Sequence, residues 1–148
     1  MDRVAIALGS NLGDRRGHID YAVASLQSSV AGLKVSSYYE TEPVGTPDSQ
    51  SRYLNAAAVG ETAMSAREML DLLHTIERER GRERPFQNAA RTLDLDLILY
   101  GDTILNEPDL EVPHPRFRDR PFVVDPLKEI APDLIDPVTG KRIAEMTC

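Results

Sequence analysis

The chain of 148 residues lacks several features that would assign it to a large class of proteins. Its single cysteine, Cys148, is the last residue, so the chain can form neither a disulfide framework nor a cysteine-based metal site. No apolar run reaches the length of about 18 residues that a membrane-spanning helix needs. Residues 1–4 also lack the basic and then apolar layout of a signal peptide. We therefore expect a cytoplasmic protein with no membrane partner.

A basic excess is lacking as well, since the formal net charge is -7 at pH 7. Nucleic-acid-binding domains normally carry a basic excess, so this charge argues against a nucleic-acid partner. The arginines nevertheless concentrate in two stretches, residues 78–91 and residues 116–120. Together they indicate a local anion site inside an acidic protein. Alternatively, each arginine alone could complement a helix dipole or keep the surface soluble.

Two common functional motifs are also missing. The glycine-bearing turn at residues 9–13 is not a phosphate-binding P-loop, because no Gly-Lys-Ser/Thr follows it. The histidines and glutamates do not have the spacing of a zinc site. A function based on either motif is therefore not indicated.

The order of apolar patterns predicts an α+β fold and a single domain spanning residues 1–148. Short apolar or alternating runs predict strands near residues 4–8, 33–40, 53–61 and 93–100. Helical periodicity predicts one helix from Asp14 to about Val30 and a second from Ser65 to Gly81. This order matches the ferredoxin-like arrangement, an antiparallel sheet with helices packed on one face. The opposite face would be left for long functional loops, residues 41–51 and 82–90.

The segment from Arg91 to Tyr100 carries the strongest indication of chemistry. Asp94 and Asp96 alternate with leucines, so an extended strand would place both carboxylates on one face and the leucines on the other. Residues two apart on a strand are separated by about 6 to 7 Å. Carboxylates at that spacing can converge on one hard cation or share a pair of metals, although an edge strand could also simply present them to solvent.

Other residues could complete a site for phosphates and a flat ring. Arginines from two loops and His114 would handle phosphates, with Mg²⁺ as the expected ion because it binds few carboxylates together with substrate phosphates. His114 lies between two prolines and could equally hold a loop through a backbone hydrogen bond. Asn55 could pair with the edge of a heterocycle, while Tyr53 and Phe122 could stack on such a ring or belong to the core.

In these segments the chain resembles the 6-hydroxymethyl-7,8-dihydropterin pyrophosphokinase family of folate biosynthesis. The resemblance covers nearly the whole chain and follows the order of the family's motifs. The matching motifs are Ala7-Leu8-Gly9-Ser10-Asn11-Leu12-Gly13, Tyr53-Leu54-Asn55-Ala56-Ala57, Ile76-Glu77 with Gly81-Arg82, Arg91-Thr92-Leu93-Asp94-Leu95-Asp96, and Val112-Pro113-His114.

The resemblance implies an ATP- and Mg²⁺-dependent diphosphokinase with a ferredoxin-like fold. Such an enzyme transfers the pyrophosphoryl group of ATP to the hydroxymethyl group of the reduced pterin and releases AMP. The chain departs from the family pattern between Arg84 and Arg91, and His74 stands where the family often has glutamine. We also expect a monomer.

The resemblance further implies roles for individual residues. Asp94 and Asp96 would bind two Mg²⁺ ions together with ATP, and Arg82 and Arg91 would act with them in catalysis. The ATP contacts would come from Glu77, Arg82, Arg84, Arg91, His114 and Arg120. The pterin contacts would come from Thr41, Val44, Gly45, Tyr53, Asn55 and Phe122.

Two alternatives come from other classes of protein. A ferredoxin-like module could sense a nucleotide without performing chemistry, and the acid pair argues against it without excluding it. A nucleotide-sugar transferase could use Asp-x-Asp, but this chain is too short for the two lobes that such enzymes usually need.

Overall fold

The computed structural model describes residues 1–11, 13–41, 53–81 and 93–146. In these ranges the strands are β1 (Asp2–Ser10), β2 (Ala31–Val35), β3 (Tyr39–Thr41), β4 (Tyr53–Thr62), β5 (Asp94–Tyr100), β6 (Leu105–Glu107) and β7 (Leu110–Val112). The α-helices are α1 (Arg15–Gln27), α2 (Ala66–Gly81) and α3 (Pro121–Ile130). Short 3-10 turns cover Phe117–Asp119 and Ile143–Glu145. None of the helices in the described ranges is both long and apolar enough to cross a membrane.

The main sheet is antiparallel, which confirms the α+β prediction. Its strands lie in the order β2-β4-β1-β5, and β3 pairs with β4 beyond the end of β2. The strand expected over residues 33–40 is therefore divided in two, β2 and β3. Strand β1 is central and pairs along most of its length with both β4 and β5, so it fixes the register of the sheet.

Helices α1 and α2 pack on the first face of the sheet. Each begins with a capping group: Asp14 accepts from the backbone of Gly17, and Ser65 and Glu68 form a reciprocal capping box. Their apolar stripes meet alternate residues of the strands, as the period of two along a strand requires. The core on this face includes Val4, Ile6, Leu8, Ile19, Leu26, Met69, Leu73, Ile76, Leu95 and Leu97.

Helix α3 covers part of the second face, so the prediction that helices pack on one face only is wrong. Along the strands, small and branched residues alternate with the residues of the first core. They point to the second face and need an apolar cover. They form a second core that includes Ala5, Ala57, Val59, Ile98, Leu99, Phe117, Val123, Val124 and Leu127. Because the central strands are buried on both faces, they read as almost continuous apolar runs.

A buried ion pair fastens the chain before α3 to the segment that follows it. Asp136 is fully buried, and it accepts from the Arg118 guanidinium, the Val138 backbone and the Thr139 hydroxyl. Arg118 lies in the 3-10 turn that leads directly into α3. The position of the α3 N-terminus is therefore set both by apolar packing and by this ion pair.

Candidate functional site

Four residues from four strands form one row across the second face of the sheet. Asp94 of β5 pairs with Gly9 of β1, Gly9 pairs with Asn55 of β4, and Asn55 pairs with Tyr39 of β3. Directly paired residues of antiparallel strands have Cα atoms about 4.5 to 5.5 Å apart and project to the same face. Gly9 has no side chain, so it leaves a gap in the row between the carboxylate and the amide.

The acid pair lies on this face, as its alternation with leucines predicted. Asp94 and Asp96 are half-buried, whereas Leu95 and Leu97 are buried in the first core. The strand is also held from the helix side, because the Leu95 backbone N–H donates to Glu77 Oε2 of α2 at 2.8 Å. Glu77, a predicted ATP contact, therefore fixes the backbone between the two aspartates.

A cleft of about 610 Å³ opens between this face of the sheet and the N-terminal half of α3. Its volume lies within the range of small-molecule sites, about 300 to 1,000 Å³. Its lining includes the predicted pterin contacts Tyr53, Asn55 and Phe122, together with the predicted ATP contact Arg120. The Arg120 guanidinium lies over the Phe122 ring, 5.7 Å from its centroid. The fold thus brings aromatic rings and the Asn55 amide to one cavity.

Tyr39 and Gly9 also line this cleft, and neither was among the predicted site residues. One signal in the sequence could have indicated Tyr39. Tyr38 and Tyr39 are adjacent in an extended segment, so one of the two rings must face each side of the sheet. Tyr38 packs against the first core, and Tyr39 turns to the cleft.

A second cleft of about 350 Å³ lies on the other side of the acid pair. Residues of α2, of the β6–β7 hairpin and of the segment after β7 form its walls. Its lining includes the predicted ATP contacts Glu77 and His114 as well as His74, Glu107, Asp109, Leu110 and Glu111. Asp94 and Asp96 line both clefts. The acid pair therefore stands at the junction of two cavities.

The surroundings of His114 fix its position and favour the neutral form of its ring. Its backbone N–H donates to the Ile98 carbonyl at 2.9 Å, and its Nδ1 accepts from the Arg116 backbone at 3.2 Å. Burial lowers the pKa of His114, and the nearby Arg120 charge lowers it further, against the opposing influence of Glu111 and then Asp94. Because Nδ1 accepts, the proton of the neutral ring is on Nε2, which makes Nε2 a donor.

Several predicted site residues lie outside the described residues. These are Val44, Gly45, Arg82, Arg84 and Arg91, and the side chain of Thr41 also falls outside the description. Their roles stay predictions. The backbone of Thr41 pairs with Tyr53 at the end of β3, next to the larger cleft.

The acid pair fits a hard cation better than a transition metal. Within residues 1–11, 13–41, 53–81 and 93–146, no group of three or more His, Cys, Asp or Glu side chains could hold a metal ion. A structural zinc site would need such a group. Mg²⁺ needs only one or two carboxylates when waters and substrate phosphates complete its shell. Two half-buried carboxylates on one face match that donor set.

Comparison with known proteins gives consistent matches. A family model described as 7,8-dihydro-6-hydroxymethylpterin-pyrophosphokinase (HPPK) matches residues 5–132. The 2-amino-4-hydroxy-6-hydroxymethyldihydropteridine pyrophosphokinase of a Synechocystis strain is 42% identical over 144 residues, which are 95% of this chain and 72% of that protein. The protein of the same name from Bacillus subtilis is 45% identical over 133 residues, 88% of this chain and 79% of that protein.

Solved structures agree with these matches at the level of the fold. A crystal structure of Plasmodium falciparum HPPK-DHPS superposes with a TM-score of 0.75 at 14% sequence identity. The match covers 97% of this chain and 44% of that one, so the chain spans less than half of the solved protein. At this identity the likeness shows the fold alone.

Proposed function

The chain belongs to the 7,8-dihydro-6-hydroxymethylpterin-pyrophosphokinase family, and we propose that it transfers the pyrophosphoryl group of ATP to 6-hydroxymethyl-7,8-dihydropterin. In this reaction the hydroxymethyl oxygen of the pterin attacks the β-phosphorus of ATP, and its hydroxyl proton is released. The bond from that phosphorus to the oxygen that bridges it to the α-phosphorus breaks. The products are the pterin diphosphate, a precursor in folate biosynthesis, and AMP.

The observation that carries this proposal is the sharing of Asp94 and Asp96 by two clefts of different character. The larger cleft has aromatic rings and an amide, which suit a flat ring with a polar edge. The smaller cleft borders His114, a donor that suits a phosphate oxygen. Two substrates bound in these clefts would meet at the acid pair. Transfer of a group between them needs this arrangement.

The residues of the chain would bind and orient the substrates, without a covalent intermediate. Asn55 would pair with the pterin edge, and Tyr53 and Phe122 would contact the faces of its ring. His114 and Arg120, with Arg82, Arg84 and Arg91, would bind the phosphates of ATP, and Glu77 would keep the acid-bearing strand in place. Positioning of this kind, with charge placed at the phosphates, supplies most of the catalysis in phosphoryl transfer.

Asp94 and Asp96 would hold Mg²⁺, and the family resemblance implies two ions. Mg²⁺ bound there would neutralise charge on the phosphates of ATP while the pyrophosphoryl group moves. The carboxylates themselves need only to stay ionised and to remain on the same face of β5.

The remaining finer predictions accompany this function. They are a ferredoxin-like topology, one domain over residues 1–148, a monomer and a cytoplasmic location. Light scattering on the purified protein checks the monomer, and limited proteolysis checks the single domain. Fractionation of the producing cells checks the location.

The test is release of AMP from ATP and Mg²⁺, measured with and without 6-hydroxymethyl-7,8-dihydropterin. We expect pterin-dependent AMP, and we expect Asp94→Asn and Asp96→Asn each to lower the turnover number at least about 100-fold, or about 2.7 kcal/mol of barrier. Asp102→Asn is the matched control, because Asp102 is exposed in the turn just after β5 and lines neither cleft.

Two results would contradict the proposal. A folded protein that binds ATP but forms no pterin-dependent AMP would be a nucleotide-binding module without this activity. Rates near wild type in both Asp94→Asn and Asp96→Asn would refute the role given to the acid pair, even if the activity itself is present.

A further inference from the structure

Tyr39 and Glu129 form a contact between the two walls of the larger cleft. Tyr39 comes from β3, on the sheet side, and Glu129 comes from the last turn of α3. The Tyr39 hydroxyl donates to Glu129 Oε1 at 2.6 Å. The two residues are far apart in sequence, so this contact fastens the helix to an edge of the sheet.

Glu129 also binds the segment that precedes β3. The Ser37 backbone N–H lies 3.1 Å from Oε1 and 3.0 Å from Oε2, and the Ser37 hydroxyl donates to Oε2 at 3.0 Å. One carboxylate thus receives the tyrosine hydroxyl and two donors of Ser37. A single exposed ion pair contributes little to stability. Glu129 differs because it accepts from three donor groups, and these hydrogen bonds fix the orientation of the Tyr39 side chain.

The pKa shifts of Glu129 and Tyr39 agree with a hydrogen bond that is present at neutral pH. The hydrogen bond from Tyr39 holds the pKa of Glu129 below its usual range, with the Ser37 backbone as the next cause. The same hydrogen bond raises the pKa of Tyr39 to about 12, with some help from burial. At neutral pH the carboxylate is therefore ionised and the phenol protonated, which is the pairing that the geometry needs.

The position of Tyr39 indicates the function of its hydrogen bond to Glu129. Tyr39 pairs with Asn55 in the row of cleft residues, and it lines the cleft opposite the α3 residues Phe122, Val123 and Pro126. Its hydroxyl proton is donated to Glu129, so the part that faces the cleft is the ring. Because α3 carries the opposite wall, a bond from its last turn to Tyr39 also holds the distance between the walls.

We propose that Tyr39 is a further ring contact for the pterin and that Glu129 is a positioning residue, which orients Tyr39 and sets the width of the pterin cleft. This inference rests on the proposed function, since it assigns the larger cleft to the pterin. A flat ring that packs against an aromatic side chain in good geometry is stabilised beyond the area that it buries. Loss of the ring should therefore weaken pterin binding by about one order of magnitude.

The chain supplies a matched control in the neighbouring tyrosine. The Tyr38 hydroxyl donates to Asp20 of α1, and burial together with that hydrogen bond raises the pKa of Tyr38 to about 12. Tyr38 packs against the first core, on the face opposite the cleft. Tyr38→Phe and Asp20→Asn therefore remove a tyrosine–carboxylate bond of the same kind without touching the pterin cleft.

The experiment measures the Michaelis constants for pterin and for ATP in these variants. We expect Tyr39→Leu to raise the pterin KM about 10-fold, and Tyr39→Phe and Glu129→Gln to raise it about 2- to 5-fold, as loss or weakening of one hydrogen bond implies. The ATP KM should stay unchanged in all three. Tyr38→Phe and Asp20→Asn should leave both constants unchanged. Tyr39→Phe and Tyr38→Phe should lower the Tm to a similar degree. A rise of the pterin KM in Tyr39→Phe alone would then reflect positioning and not a general loss of stability.

Specific outcomes would overturn the inference. A pterin KM within twofold of wild type in Tyr39→Leu would remove Tyr39 from the site. An equal rise of both constants in Glu129→Gln would mean a general loss of structure and would refute positioning. If the wild-type protein forms AMP only with pterin and the variants give either of these two results, the inference alone fails. If the wild-type protein forms no pterin-dependent AMP, the proposed function fails first and the inference falls with it.

Discussion

Gly9 is a position where one added methyl group tests the geometry of the pterin cleft. A Cβ at residue 9 would lie 3.1 Å from Asn55 Oδ1, 3.8 Å from the Leu54 carbonyl oxygen and 4.0 Å from Tyr53 Cδ1. The closest of these atoms is the end of a side chain, so the backbone need not move. The Asn55 amide would have to shift by a few tenths of an ångström, and the methyl group would occupy the floor of the cleft.

The magnitude follows from the hydrogen bond that Asn55 would make to the pterin. A misplaced partner costs about 1 to 3 kcal/mol when a buried polar group loses its bond. Gly9→Ala should therefore raise the Kd for the pterin by about 5- to 140-fold, since 1.4 kcal/mol corresponds to about a factor of ten. Stability should not fall, because replacing a strand glycine lowers the entropy of the unfolded chain, which stabilises the fold by about 0.5 to 1 kcal/mol.

Gly60 of β4 is the matched control on the opposite face. A Cβ there would lie 2.4 Å from Val30 Cγ1 and 2.9 Å from the Ala31 carbonyl oxygen, so backbone as well as side chain must move. Overpacking of this kind costs about 1 to 3 kcal/mol. Gly60→Ala should lower the Tm by about 2 to 12 °C, with pterin affinity unchanged for the folded fraction.

The assay combines thermal unfolding by circular dichroism with titration of pterin binding in both variants. The expected pattern is crossed: Gly9→Ala loses pterin affinity and keeps its Tm, while Gly60→Ala loses Tm and keeps its affinity. Wild-type pterin affinity in Gly9→Ala would show that the row from Asp94 to Tyr39 is not the floor of the pterin site. Reduced affinity in Gly60→Ala without a lower Tm would refute the assignment of the two faces.

Two further predictions concern charged residues. Burial alone raises the pKa of Asp136, but the Arg118 bond and the other donors outweigh it and hold the pKa below its usual range. A carboxyl group whose pKa is lower in the folded state stabilises the fold at pH values above its unfolded pKa of about 3.9. This stabilisation is lost as the pH falls through the folded pKa. Asp136→Asn should therefore lower the Tm at pH 7, and the difference from wild type should shrink below about pH 4 when Tm is measured against pH. Arg67 binds two carboxylates of the β6–β7 hairpin, a wall of the smaller cleft, so Arg67→Met should raise the ATP KM about 2- to 5-fold, most at low salt. Its control is Arg3→Met, which breaks an exposed pair remote from both clefts and should leave the ATP KM unchanged.

The sequence predicted the parts of the fold that depend on local pattern. Strand β5 follows from the alternation of Asp94 and Asp96 with leucines, and α2 follows from its capping box and apolar stripe. Both features are settled by neighbours within a few residues. The predicted pterin contacts Tyr53, Asn55 and Phe122 do line one cleft, although their roles stay predictions.

The parts that could not be predicted depend on contacts between distant segments. The apolar residues of α3 indicate a helix, but not that it lies on the second face of the sheet. The site contribution of Tyr39 depends on the β3–β4 register, and the bond from the Leu95 backbone to Glu77 depends on how α2 lies beside β5. The β6–β7 hairpin was not expected at all, because its strands have only three residues each. Such short strands show too few alternations to be recognised.

A register shift in β5 explains how one face can carry both a polar site and a dry core. Ile6 of β1 pairs with Leu97, and Ala5 pairs with Leu99, so Ile98 is an extra residue that forms a bulge. With strict alternation Leu99 would join the first face together with Leu97. The bulge turns Leu99 to the second face beside Ile98, where both contact the α3 core. Asp94 and Asp96 thus face the cleft, and the strand becomes apolar under α3 within two residues of Asp96, which places two carboxylates directly beside the second core.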